Sequence, residues 1–147
     1  MTKIIEVPKI KKLKNSVYNP EIKTIPMDET KLKVLRIELN EDYTRIDFVG
    51  NNEQFGWVQI DPNSFIRPTK TKSCHRLVKA EGIAIAPQKH FFNRANQTFY
   101  FTLYFPAIPK NIKEIDIIEQ ENSNDSYFNF YGVSIEKIQS QTIKVNN

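Results

Sequence analysis

Apolar and polar residues alternate along much of this chain, and the alternation is cleanest from Gln97 to Phe105. Successive Cβ atoms of a strand point to opposite sides, so Phe99, Phe101, Leu103 and Phe105 form one face and Tyr100, Thr102 and Tyr104 the other. The first face reads as core and the second as outward and amphipathic. Pro106 and Pro109 end the run because proline cannot donate to a ladder. The break at Pro106-Ala107-Ile108-Pro109 therefore predicts a corner between two strands, with Ile108 tucked beneath it as a hydrophobic plug. A docking PxxP segment would have to be extended and exposed, whereas this one joins two core strands.

Weaker alternation extends on both sides. Pro20 and Pro26 make Val17 to Met27 an extended lead-in or an edge strand. Leu32 and Val34 share one phase and Leu35, Ile37 and Leu39 the other, a one-residue shift that predicts a β-bulge. Asn40-Glu41-Asp42 is a polar turn, Ile46 and Phe48 alternate with polar neighbours, and Gly50-Asn51-Asn52 reads as a second turn. Phe55 to Ile60 predicts a short strand closed by Asp61-Pro62-Asn63-Ser64, and Leu77 to Ala86 predicts one or two more. The segment Lys113 to Glu119 fits a helix through Ile112, Ile115 and Ile118 or a strand through Ile115 and Ile117, and its short, isoleucine-rich character favours strand. Glu121 to Ser126 is a loop tip, and a last strand runs through Phe128, Phe130, Val133 and Ile135 to about Ile138.

About eight short strands with frequent turns, and no long amphipathic helix, predict an all-β, antiparallel two-sheet sandwich. The segments GWVQIDPNSFI, LVKAEGIAI, FTLYFPAIPKNIKEIDIIE and FNFYGVSI, in that order, carry a further signal. Over roughly residues 30 to 138 the chain resembles an uncharacterised immunoglobulin-like β-sandwich domain family that recurs in bacteria of the Bacteroidetes group. The features that match are Phe101-Leu103-Phe105, the Pro106 to Pro109 corner, Ile115-Asp116-Ile118-Glu119 and Phe130-Tyr131-Gly132. The resemblance implies the sandwich fold. It implies no activity, because the family carries no agreed one and occurs beside other domains, including thioredoxin-like ones.

Composition bounds the rest. A chain of 147 residues with ten Phe and six Tyr is large and apolar enough to bury a core. Residues 1–16 form a basic arm, 17–140 the β-sandwich domain and 141–147 a C-terminal tail. The start, MTKIIEVPKIKKLKN, lacks the apolar core of a secretory signal, and no stretch is long and apolar enough to span a bilayer as a helix. With one cysteine, Cys74, no internal disulfide forms, and the expectation is a soluble cytoplasmic protein. The net charge of +4 is a lysine excess, which is an argument about solubility and steering before it is one about a site.

No residue set amounts to a chemical signature. Cys74, His75 and His90 are possible zinc ligands, but adjacent strand residues point to opposite faces and no fourth ligand is spaced nearby. Cys74 as a nucleophile would need an orienting partner for His75 or His90. Asp116, Glu119 and Glu121 read as surface carboxylates flanking an apolar strand, because a general acid and base must converge across a cleft. No metal or cofactor is expected.

Two surfaces remain. An outward aromatic row at Tyr100, Thr102 and Tyr104 suits contact with a protein partner or a second copy. Arg67, Lys70, Lys72, Arg76 and Lys79, with Lys89 and Arg94 beyond them, would suit phosphates, and tyrosines alongside would suit the bases of single-stranded nucleic acid. The leading expectation is thus a non-enzymatic interaction module acting as an adaptor or assembly component. The alternative is a nucleic-acid-binding accessory domain that uses the basic loop and the N-terminal arm.

Overall fold

A computed structural model describes residues 15–26, 31–52, 56–121 and 127–136. The N-terminal arm up to residue 14, the loop tip at 122–126, Phe55 and the tail at 141–147 lie outside the described residues, as does the expected end of the last strand near Ile138.

The described residues contain strands and no helix, in twelve segments where the sequence predicted about eight. These are β1 (Ser16–Tyr18), β2 (Ile22–Thr24), β3 (Lys33–Leu39), β4 (Tyr43–Asn52), β5 (Trp57–Val58), β6 (Phe65–Pro68), β7 (His75–Arg76), β8 (Lys79–Glu81), β9 (His90–Phe91), β10 (Gln97–Pro106), β11 (Glu114–Ile118) and β12 (Asn129–Ser134). The excess comes from segments of two or three residues, too short to show a period.

One five-stranded sheet runs in the order β1-β3-β4-β10-β8 and the other in the order β2-β12-β11-β6-β7, while β5 and β9 form a separate two-stranded ribbon. Every pairing between named strands is antiparallel. The proline-bounded lead-in resolves into edge strands of two different sheets, β1 and β2, with Asn19 at φ 47° where the chain crosses between them.

The inner faces of both large sheets feed one core. Phe48 of β4 sits at its centre, stacked on Phe101 at 4.8 Å between centroids and tilted against Phe128 and Phe130 of the other layer at 5.7 and 6.1 Å. Each fully buried side chain of this size stabilises the fold by roughly 1.5–3 kcal/mol. The expected bulge in β3 is present as a register shift between Val34 and Arg36 that lets both Val34 and Ile37 face the core. The Pro106 to Pro109 segment is the corner that carries the chain from β10 in one sheet to β11 in the other, and Ile108 is buried beneath it. A second shift occurs where Ile115 pairs with Val133 but Ile117 pairs with Phe130, leaving an extra residue on β12. Gly132, at φ 67°, occupies that bulge in the left-handed conformation such bulges favour.

Candidate functional site

The strand β10 pairs with β4 over its whole length, and that register assembles its outer face. Thr102 lies opposite Asp47 on one side and Glu81 on the other, and Tyr104 lies between Arg45 and Lys79. Thr102 Oγ1 donates to Asp47 Oδ1 at 2.6 Å, while Arg45 Nε donates to the same oxygen at 3.0 Å and Arg36 Nε to Oδ2 at 2.9 Å. Burial by itself would raise the Asp47 carboxyl, but the hydrogen bonds from Thr102, Arg36 and Arg45 outweigh it and hold the group below its ordinary range.

Tyr104 is equally engaged. Its hydroxyl donates to Glu81 Oε1 at 3.1 Å, its ring meets Tyr43 edge-on at 5.3 Å, and Lys79 Nζ lies 4.8 Å from its centroid. Lys79 also pairs with Glu81 at 3.3 Å, and this contact leads the causes that lower the Glu81 carboxyl. The predicted aromatic row does face outward, but Thr102 and Tyr104 are tied into a network of the chain's own side chains. Tyr100 stands apart from it, opposite Val49 and 65% exposed.

Tyr100 also marks an open edge. The short strand β8 pairs with β10 only at Thr102, Leu103 and Tyr104, so among the described residues Gln97 to Phe101 have no paired strand on that side. Gly82, at φ 83°, follows the end of β8 and lies against the strand, so close that an added Cβ would lie 2.9 Å from the Tyr100 carbonyl oxygen. Val78 N–H donates to the Tyr104 carbonyl at 2.8 Å, which shows that the even-numbered backbone groups of β10 point toward this edge. Those of Thr98 and Tyr100 follow by alternation.

The basic group does not stay together. Arg67 belongs to β6 and Lys79 to β8, strands of different sheets. Arg67 Nε donates to Asp116 Oδ2 at 2.9 Å and its Nη1 to Glu121 Oε2 at 2.7 Å. With Lys79 committed to Glu81, the members of this group without an ion pair among the described residues are Lys70, Lys72 and Arg76, in and after the turn that joins β6 to β7.

Asp116 and Glu119, read as surface carboxylates, are in fact buried. Besides Arg67, Asp116 accepts the Gly132 N–H at 2.9 Å, so it pins the bulge of β12. Glu119 accepts the backbone N–H groups of Asp61 and Phe128 at 3.0 and 3.1 Å and ties together three segments distant in sequence. Both carboxylates thus serve as structural acceptors.

Cys74 is exposed, and His75 Nε2 lies 3.4 Å from Ser73 Oγ. His90 sits on the β5–β9 ribbon, edge-on to Phe92. The described residues hold no cluster of three or more His, Cys, Asp or Glu placed to bind a metal. A concavity of about 410 Å³ is lined by Cys74, Arg76, Glu119 and Glu121, and another of about 620 Å³ under the proline corner by Leu39, Ile108, Ile112 and Ile135. No helix among the described residues is long and apolar enough to cross a membrane. No family model, curated protein or solved structure matches this chain.

Proposed function

We propose that this chain is a non-enzymatic interaction module of immunoglobulin-like β-sandwich type, an adaptor or assembly component that takes a protein partner on the open edge of β10. The observation that carries this reading is the asymmetry of that strand. It is fully paired with β4, yet beside β8 its first half has no strand partner among the described residues. An unpaired edge is a template for strand addition, in which main-chain hydrogen bonds give affinity and alternate side chains give specificity. Thr98 and Tyr100, both exposed, would supply the side-chain contacts. The sharing of one core by two antiparallel sheets supports the sandwich type, and the exposed Cys74 suits a reducing, cytoplasmic setting. A nucleic-acid role for the basic loop is less well supported, since two of its five cations already hold their own carboxylates.

The test compares tagged wild-type protein with Thr98→Pro. Proline removes an edge donor and leaves the β4 ladder intact, because the Thr98 backbone faces the other way. Wild type should retain one stoichiometric protein from native lysate through nuclease and high-salt washes, and Thr98→Pro should lose it with an unchanged thermal melt. Equal capture by both proteins, or capture abolished by nuclease, overturns the reading.

A further inference from the structure

The β5–β9 ribbon carries a surface that the sandwich does not use. Trp57 and Phe91 are register partners across it, so their side chains project from the same face, and they are 46% and 69% exposed. Neither belongs to the hydrophobic core, whereas the neighbouring Phe92 turns inward against Phe99 at 5.1 Å. Two large exposed aromatics side by side are costly to leave in water unless they meet something.

The charges around them indicate what. Gln88 to Asn96 contains Lys89, His90 and Arg94 and no acidic residue. Lys89 Nζ lies 4.4 Å from the Trp57 centroid, and neither Lys89 nor Arg94 forms an ion pair among the described residues. Exposed rings flanked by cations that have no carboxylate partner among the described residues, one of them resting on a face of Trp57, match a ligand that is planar and polyanionic at once. A neutral sugar would leave the cations unused, and an acidic peptide would leave the rings unstacked.

We infer that this ribbon is a stacking platform for single-stranded nucleic acid, with Trp57 and Phe91 receiving bases and Lys89 and Arg94 the flanking phosphates. Each ring accepts a base without reading its identity, because every base has a π-face. The platform is therefore tolerant of sequence. The inference is independent of the β10 edge, and it moves nucleic-acid contact from the β6–β7 turn to the basic stretch Gln88 to Asn96.

Trp57 is the only tryptophan, so its emission reports on this site alone. The full chain is titrated with an oligothymidylate of about fifteen nucleotides, a length within the range one such site covers. Trp57 emission should fall and saturate. With two phosphate contacts, affinity should drop roughly sevenfold between 50 and 200 mM salt, from a slope of about −0.7 per contact. Phe91→Ala should weaken binding at least about fivefold, the low end of what stacking one base contributes. Lys89→Glu with Arg94→Glu should remove binding, and Lys70→Glu with Lys72→Glu should not. Circular dichroism melts confirm folding, and anisotropy of a labelled oligonucleotide reads binding independently of Trp57. The inference is overturned if the oligonucleotide binds without changing Trp57 emission, if it fails to bind, or if Phe91→Ala binds as wild type does. Equal quenching by heparin, an acidic peptide or a neutral oligosaccharide overturns it as well.

Discussion

Arg67 and Asp116 face each other across the β6–β11 ladder, with Nε 2.9 Å from Oδ2, and the second oxygen of Asp116 accepts the Gly132 N–H of the next strand. One carboxylate thus joins three strands of a sheet. Its removal leaves a largely buried guanidinium with one partner, Glu121, and leaves the Gly132 N–H without any. Asp116→Ala should lower unfolding free energy by about 3 kcal/mol, the range for breaking a buried pair. Urea denaturation checks this, and a loss below about 1 kcal/mol would mean that Asp116 is dispensable.

Gly132 tests the same bulge from the backbone side. Its φ of 67° is strained for any side chain, and an added Cβ would lie 2.7 to 2.9 Å from the stem of Lys23. Gly132→Ala should cost about 1–3 kcal/mol, combining left-handed strain with the clash. Lys23→Gly should recover the clash part alone. Gly56→Ala, where nothing lies within 4 Å, should stay within about 0.5 kcal/mol of wild type.

Acid sensitivity should trace in part to Asp47. Its folded pKa is lowered from an ordinary value of 3.8, so the protein gains stability from it above that value and loses it as pH falls through the lower folded one. Stability measured by denaturant titration from neutral pH downward should decline over that window. Asp47→Asn, less stable at pH 7, should decline less steeply. Parallel curves would assign the acid loss to other carboxylates.

Thr102 and Tyr100 occupy the same face of β10 but should respond oppositely. Thr102→Val removes a half-buried donor to Asp47 and should cost about 1–2 kcal/mol. Tyr100→Ser should leave stability within about 0.5 kcal/mol and weaken partner capture at the β10 edge. Thermal melts paired with the capture assay separate the two. A Tyr100→Ser protein that melts early but captures normally would make Tyr100 structural.

Alternation made β10, its core face and the bulge of β3 legible, because a period of two in a half-buried strand follows from the backbone alone. The strand assignment of Glu114–Ile118 came from residue type and also holds. What local pattern could not carry was the identity of cross-strand neighbours. Asp116 reads as a surface acid because its partner Arg67 is 49 positions away and its second partner sits in a bulge. The basic group looked continuous because nothing between Arg67 and Lys79 announces that the chain changes sheets. Tyr104 looked free because Arg45 and Lys79 reach it only through ladder register. The Trp57–Phe91 pair was hidden by the brevity of its strands, although the acid-free run Gln88 to Asn96 was a readable hint.

The ladder between β4 and β10 also sets a tempo. Its partners are far apart along the chain, as with Asp47 and Thr102 at a separation of 55 positions, and it forms the middle of its sheet. No short turn joins the two strands, so a long loop must close before the central contacts reward closure. Refolding should take milliseconds to seconds, as for other non-local β topologies. During that interval the apolar faces of both strands stand open to other copies, and the yield of folded protein should fall as its concentration rises during refolding.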